Sequence, residues 1–80
     1  MKRSKSISWE SIDDSTVVFD PNSNKMYTFD GIENFIWKNI DKTNEELAQI
    51  IFQDYEASYE QILKDINVFM DQLIEHGLIE

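Results

Sequence analysis

The residues best suited to chemistry in this sequence are one histidine, His76, and several neighbouring carboxylates. The pairs Asp13–Asp14 and Glu45–Glu46 fall at a predicted turn and in the first turn of a predicted helix, where acids are common for structural reasons. His76 falls at a predicted helix C-terminus, where the helix dipole stabilises an imidazolium. No Gly-rich phosphate loop, H-x-x-x-H pair or nucleophile elbow accompanies these residues. We therefore expect a chain that is not an enzyme and holds no cofactor.

One segment has part of a cation-binding pattern. Asp20, Asn22 and Asn24 occupy alternate positions, as oxygen ligands do in calcium loops, but such loops also require a closing glutamate. Pro21 presets the backbone for a turn, and asparagine tolerates the left-handed region. A turn between two strands explains the segment better than a metal site. The sequence contains no cysteine, which excludes disulfides and thiolate metal sites.

Composition and charge restrict the classes of partner. Eighty residues with 41% apolar side chains predict one ordered domain over residues 1–80, with residues 1–4 expected to form a flexible basic tail. The net charge of −9 repels phosphate backbones, so nucleic acid is not the expected partner. No apolar run is long enough to cross a membrane, and no apolar run follows the basic N-terminus as in a signal sequence. We expect a cytoplasmic location and no membrane partner.

Three short segments in the first thirty residues have the pattern of β-strands. Residues 5–10 alternate polar and apolar side chains, and residues 16–20 are β-branched and aromatic. Residues 25–29 form the returning strand after the turn. Together they predict an antiparallel meander in which strand 25–29 lies at an edge of the sheet.

Two helices are predicted after the strands. Asp30 is a candidate cap for a helix from Gly31 to about residue 40, with Trp37 flanking its buried stripe. Thr43 and Glu46 have the spacing of a capping box at the start of a second helix, which extends to about residue 55. The predicted buried stripe of the first helix comprises Ile32, Phe35, Ile36 and Ile40.

A third and longer helix is predicted between Ser58 and Gly77. Ser58 and Gln61 again have the form of a capping box, and Gly77 is suited to a left-handed C-terminal residue. Apolar side chains recur along this helix at steps of three and four, which places them on one face. They are Ile62, Leu63, Ile66, Phe69, Met70, Leu73 and Ile74. This stripe is wider than a small core requires, while Leu78 and Ile79 are expected to fold back onto the body.

The order of elements, β-β-β-α-α-α, predicts an α+β fold in which three helices cover a three-stranded antiparallel sheet. The same order resembles a winged helix-turn-helix, in which the third helix would read the major groove of DNA. The outward positions of this helix carry four acids and one lysine. A winged-helix DNA-binding module, or another protein-interaction module, is therefore the alternative prediction and not the first.

The preferred prediction combines the edge strand with the wide stripe of the third helix. An open edge presents unpaired N–H and C=O groups that accept an added strand. If the stripe lies along this edge, the two form a groove for one extended peptide. The competing interpretation is that Met26, Tyr27, Phe69 and Met70 are ordinary core residues.

The order of these short motifs resembles the PqqD-like family over residues 16–80. The run Val17-Val18-Phe19-Asp20 precedes the turn, and Tyr27-Thr28-Phe29-Asp30 leads into Ile36-Trp37 and Ile40-Asp41. The resemblance continues through residues 43–51, Asp65-Ile66, Phe69, Leu73 and Gly77-Leu78-Ile79. Three positions depart from the family pattern: Asp30, Glu33 and Lys42 stand where asparagine, a small residue and glycine are usual.

The resemblance implies a recognition element for ribosomally made, post-translationally modified peptides. Such elements take the leader of a precursor peptide as an added strand and deliver the peptide to modifying enzymes. The chain is similar to the freestanding recognition proteins of lasso-peptide clusters, which work beside a leader peptidase and a macrocyclase. The implied peptide-binding residues are Lys25, Met26, Tyr27, Thr28 and Phe29 on the strand, and Ile62, Asp65, Ile66, Phe69, Met70 and Leu73 on the helix.

Three properties of this groove stay open in the sequence. Strand alternation does not settle which residues of 25–29 face the peptide, although Phe29 and Tyr27 are the better candidates for facing the core. An unfilled edge also permits either a monomer or a dimer paired through that edge. The acidic surface is a further hypothesis for guiding basic residues of the leader.

Overall fold

The computed structural model describes residues 1–80 and has the predicted order of elements. The strands are β1 (Ser8–Ile12), β2 (Ser15–Asp20) and β3 (Lys25–Asp30), and the helices are α1 (Gly31–Lys38), α2 (Asn44–Phe52) and α3 (Tyr59–Glu75). The predicted α+β fold with a three-stranded antiparallel sheet is confirmed. β1 begins later than residue 5, and α1 and α2 end before the predicted residues 40 and 55.

The sheet has the order β1-β2-β3, joined by two tight turns. Asp13 in the first turn and Asn24 in the second have positive φ angles of 56° and 60°, a region that short polar side chains tolerate. The carboxylate of Asp20 accepts hydrogen bonds from the main-chain N–H of Asn22 (2.9 Å) and the hydroxyl of Ser23 (3.0 Å). These bonds hold the Asp20 carboxylate within its own turn, in agreement with the turn interpretation of this segment.

Trp37 lies at the centre of the core, not beside it as predicted. Its indole is fully buried and packs against Phe29, with ring centroids 5.5 Å apart, and against Trp9 at 6.1 Å. The largest side chain of α1 thus fills the space between helix and sheet, which rotates the buried face of the helix toward residues 36 and 37. Ile32, predicted in the buried stripe, is consequently exposed.

The predicted helix caps are present to different degrees. Thr43 and Glu46 form the complete capping box, with bonds of 2.9 Å and 3.1 Å in the two directions. Ser58 accepts from the N–H of Gln61 at 3.1 Å, but the side chain of Gln61 donates to Asp65 instead of returning the bond. Only half of the predicted second box therefore forms.

The start of α1 also differs from the prediction. Asp30 occupies the N-cap position but its side chain makes no capping bond, because the carboxylate accepts a hydrogen bond from the hydroxyl of Ser15 across the sheet. Gly31 follows with a φ angle of 59°, which a residue without a Cβ adopts at little cost. A backbone turn at glycine, and not a side-chain cap, thus begins the helix.

The C-terminal end of α3 closes as predicted. Gly77 has a φ angle of 72°, its N–H donates to Ile74, and the N–H of Leu78 donates to Leu73 at 2.9 Å. This is the hydrogen-bond pattern of a Schellman motif. Leu78 and Ile79 then fold back and are buried in the core.

The N-terminal residues are paired and do not form the predicted flexible tail. Lys2 and Glu80 exchange two main-chain hydrogen bonds, and Ser4 donates to the carbonyl of Leu78 at 3.0 Å. The guanidinium of Arg3 lies 4.5 Å from the ring centroid of Trp9, a cation–π distance. The tail is ordered because the returning C-terminal segment offers it a main-chain partner and β1 offers it an aromatic surface.

Candidate peptide-binding groove

β3 has a neighbour on one side only. It pairs with β2 along its whole length, and no other segment pairs with its second side. Such an edge presents main-chain donors and acceptors that the protein itself leaves unpaired. The predicted position of this strand at an edge of the sheet is therefore confirmed.

The first turn determines the direction of the main-chain groups in β2. Because only Asp13–Asp14 separate them, Ile12 and Ser15 must be a pair that exchanges its own hydrogen bonds across the ladder. Hydrogen-bonding direction alternates from residue to residue along a strand. Ser15 and every second residue after it therefore face β1. The remaining residues of β2 face β3, and they are Thr16, Val18 and Asp20.

The same alternation identifies the free groups of β3. The partners of Thr16, Val18 and Asp20 are Phe29, Tyr27 and Lys25, which therefore bond to β2. The alternate residues face the open edge: Met26 and Thr28 direct both N–H and C=O toward it, and Asp30 directs its N–H there, while the C=O of Asp30 belongs to the N-cap of α1. The register of the sheet thus identifies the free main-chain groups of β3, while the side chain of Phe29 is buried in the core and that of Tyr27 packs against it.

α3 runs beside this edge in the opposite direction to β3. Tyr27 packs against His76 with ring centroids 5.3 Å apart, and Phe29 packs against Phe69 at 5.3 Å. A groove of about 400 Å³ lies between strand and helix. Its lining residues are Met26, Tyr27, Thr28, Phe29, Glu33, Phe69, Gln72, Leu73, His76 and Leu78.

A second cavity of about 220 Å³, here called the end cavity, lies between the three helices. It is lined by Ile32, Glu33, Ile36, Ile51, Tyr55, Ala57, Ile62, Asp65, Ile66 and Phe69. Glu33 and Phe69 also line the groove, so the two spaces adjoin. Because Phe69 lies beside Phe29, and Ile62 lies two helical turns further from β3, the end cavity lies beyond the Asp30 end of the strand.

The predicted binding residues divide between these two spaces. Met26, Tyr27, Thr28, Phe29, Phe69 and Leu73 line the groove, and Ile62, Asp65 and Ile66 line the end cavity together with Phe69. Lys25 and Met70 line neither. Lys25 is exposed beyond the groove, and Met70 is buried among the core residues.

The apolar surplus predicted on α3 is smaller than expected. Ile66, Met70 and Leu73 retain only 1%, 4% and 2% of their surface, because Leu78 and the apolar side chains of α2 pack into the same core. Ile74, predicted in the same stripe, is exposed. Little of this aliphatic surface is therefore accessible to a ligand, and the lining of the groove also includes the rings of Tyr27, Phe29, Phe69 and His76.

Several lining residues were not predicted from the sequence. Glu33, Gln72, His76 and Leu78 line the groove in addition to the predicted set. His76 lies seven residues after Phe69, which is two helical turns. This spacing predicts that the two side chains lie on the same face of α3. Its assignment as a helix-end residue obscured this second role. Glu33 carried no such signal, because its position depends on how α1 leaves the sheet.

The groove offers groups suited to binding a peptide. Its walls offer main-chain donors and acceptors on β3, and apolar or aromatic side chains on α3. Outside the groove, burial lowers the pKa of Arg3 against the opposing effect of Asp41, and hydrogen bonds from Thr43 lower the pKa of Glu46. No group of three or more His, Cys, Asp or Glu residues is arranged to hold a metal ion. None of the helices combines the length and the apolar character needed to cross a bilayer.

Comparison with known proteins gives consistent matches to one fold. The structure of TbiB1 in complex with the TbiA(beta) leader peptide superposes with a TM-score of 0.90, at 24% identity, over 100% of this chain and 95% of that one. Lasso peptide synthetase B1 complexed with the leader peptide gives a TM-score of 0.89, at 20% identity, over 99% and 95%. No curated protein matches at a significant level. The family model for coenzyme PQQ synthesis protein D (PqqD) matches residues 15–79, most of the chain, and the protein therefore belongs to the PqqD family.

Proposed function

We propose that this chain is a non-catalytic adaptor for the leader segment of a ribosomally synthesised precursor peptide. The leader adds as a strand to β3, and the adaptor presents the bound precursor to modifying enzymes such as a leader peptidase and a macrocyclase. The observation that carries this proposal is the open edge of β3 directly beside the aromatic face of α3. The two structurally similar proteins were solved with leader peptides, which supports the same class of ligand here.

Main-chain pairing supplies the general part of the affinity. The N–H and C=O groups of Met26 and Thr28 and the N–H of Asp30 point outward, so an added strand forms hydrogen bonds with every second residue of β3. These bonds do not depend on the sequence of the guest. They therefore fix the register and direction of a leader without selecting its side chains.

The floor of the groove supplies the selective part. Alternate side chains of an added strand point toward α3, where the accessible lining includes Tyr27, Gln72 and His76 above the largely buried rings of Phe29 and Phe69. Removing an apolar side chain from water contributes about 25 cal/mol per Å² of buried apolar surface. The adaptor is therefore expected to prefer leaders that place large apolar residues at every second position of the paired segment.

The winged-helix alternative has less support. A DNA reader needs cationic side chains on α3 to contact phosphates and bases. The exposed residues of α3 include Glu60, Asp65, Asp71 and Glu75, which repel a duplex. A protein ligand is accordingly the better fit to this surface.

The test is an NMR titration of the ¹⁵N-labelled protein with a synthetic leader peptide from the precursor gene beside its own. Strand addition predicts the largest amide shifts at Met26, Thr28 and Asp30, because their N–H groups gain acceptors. Gln72 and His76 across the groove are expected to shift less. Amides of β1 are the internal control, since that strand forms the opposite edge of the sheet. Shifts confined to β1, or no shifts at millimolar peptide, would refute the proposal.

A further inference from the structure

Two carboxylates line the end cavity, and one of them also borders the groove. Among all the residues that line these two spaces, Glu33 and Asp65 are the only acids, and no lysine or arginine is present. Glu33 borders both spaces. The carboxylate of Asp65 accepts a hydrogen bond from Gln61 through Oδ1 at 2.9 Å, which holds it in place and leaves Oδ2 available. The remaining lining of the end cavity is almost entirely apolar.

The end cavity lies within reach of a peptide that continues past β3. From Phe69, beside the strand, to Ile62, at the far side of the cavity, α3 advances seven residues, or about 10 Å. An extended peptide covers that distance in about three residues. A guest paired with β3 that continues past Asp30 therefore reaches the end cavity with its third or fourth further residue, after passing Glu33.

We propose that the end cavity binds a segment of the leader that combines an apolar side chain with a neighbouring lysine or arginine. This inference rests on the proposed function and adds a specificity determinant to it. The apolar side chain enters the space between Ile36, Ile51 and Ile62, and the cation lies at the rim between Glu33 and Asp65. Both acidic residues are exposed and line the same cavity, so their attraction for a cation is expected to be modest and sensitive to salt. Glu33 and Asp65 thus select leaders with a positive charge at a fixed distance from the paired strand.

Selection from a random peptide library tests the charge preference directly. A phage library of random 16-residue peptides is selected on the wild-type protein, on Glu33→Gln/Asp65→Asn, and on Glu10→Gln/Asp71→Asn. The last variant is the matched control: it removes the same charge from exposed residues that line neither the groove nor the end cavity. The wild type and the control are expected to enrich lysine or arginine at one position beside an apolar residue. Glu33→Gln/Asp65→Asn is expected to lose that enrichment.

A peptide from this selection is then used to measure how much the two carboxylates contribute to binding affinity. By fluorescence anisotropy in 50 mM salt, we expect Glu33→Gln/Asp65→Asn to weaken binding of the cationic peptide about three- to tenfold, and to leave binding of a Lys/Arg→Gln version unchanged. The difference should vanish near 0.5 M salt because the charges are then screened. Equal weakening in the control variant would assign the effect to the overall negative charge and overturn the inference.

The outcomes separate this inference from the proposed function. Peptides captured without a charge preference, but sensitive to a proline in β3, would overturn the specificity of the end cavity and leave strand addition intact. Peptides that bind equally well to a variant with Thr28→Pro would overturn strand addition itself. Failure to capture any peptide would overturn both.

Discussion

A proline at Thr28 is the sharpest test of strand addition, because the register assigns its N–H to the open edge. Proline lacks this donor, and its ring occupies the place that the guest carbonyl would take. The substitution leaves the β2–β3 ladder intact, since Thr28 does not bond to β2 in this register. Proline is tolerated on edge strands where its nitrogen faces solvent. The fold should therefore survive while the guest loses its central contact.

The expected loss follows from the hydrogen bonds. The guest loses the main-chain hydrogen bond that the N–H of Thr28 would donate, at about 1 kcal/mol, and the guest carbonyl left unpaired beside the proline ring costs about 1–2 kcal/mol more. A total of about 2–3 kcal/mol corresponds to roughly 30- to 150-fold weaker binding. Fluorescence anisotropy with a labelled leader peptide measures this change, and an amide NMR spectrum reports whether the sheet persists.

Two control variants make the result specific to the main chain. Thr28→Ala keeps the N–H and removes only a side chain on the outer face of the sheet, so its affinity should stay within about threefold of the wild type. Tyr27→Pro removes a donor that bonds to β2 and should destabilise the fold. If Thr28→Pro binds with wild-type affinity while its spectrum stays native, the guest does not pair with β3. If Tyr27→Pro is the folded variant, the assigned direction of the main-chain groups is reversed.

Three further predictions concern stability. Arg3→Ala should lower the free energy of unfolding by about 1–3 kcal/mol, measured by urea denaturation followed by tryptophan fluorescence. The substitution removes the cation–π contacts with Trp9 and Trp37 and the hydrogen bond to the main-chain carbonyl of Trp37. The control Lys2→Ala removes an exposed side chain and should change the free energy of unfolding little. Gly77→Ala should lower the free energy of unfolding by about 1–2 kcal/mol in the same assay. The cause is the positive φ angle alone, since the added Cβ meets no neighbouring atom within 4 Å. An unchanged free energy of unfolding would contradict the left-handed conformation of Gly77. The main-chain hydrogen bond from Thr43 is the main cause of the lowered pKa of Glu46. The ionised Glu46 therefore stabilises the fold above the ordinary carboxyl pKa of 4.5, and this stabilisation is lost as the pH falls through the lowered pKa of the folded state. Circular dichroism during acid titration should therefore show a shallower loss of stability for Glu46→Gln than for the wild type, and parallel curves would refute this account.

Local patterns were sufficient to predict the order of elements. The β-branched segment of β2, the Thr43–Glu46 spacing and Gly77 each act within a few residues, and the structure contains the corresponding strand, capping box and left-handed turn. Such features depend on short-range hydrogen bonding and backbone sterics, which the sequence specifies directly. The position of β3 at the edge also followed from the order of three short strands.

Features that depend on long-range packing were not predictable. The rotation of α1 depends on where Trp37 finds the largest space against β3, and this follows from the side chains of two other strands. The stripe of α3 was predicted to have a surplus because the sequence does not reveal how much of it the other core residues cover, and Met70 is buried in the core that α2 and Leu78 share. The end cavity lies between residues of all three helices, among them Ile62. Its existence therefore depends on how the helices pack, and no local sequence pattern predicts it.

The pairing of the two chain ends has a consequence for ligand affinity. Leu78 lines the groove, and its carbonyl is held by the N–H of Ser4, while Lys2 and Glu80 close the same short ladder. The first four residues thus hold Leu78 in position through main-chain hydrogen bonds, although they do not line the groove themselves. Trimming them, or burying them in an appended tag, would loosen that part of the lining, and a leader would be held less tightly by a protein whose every contacting residue is unchanged.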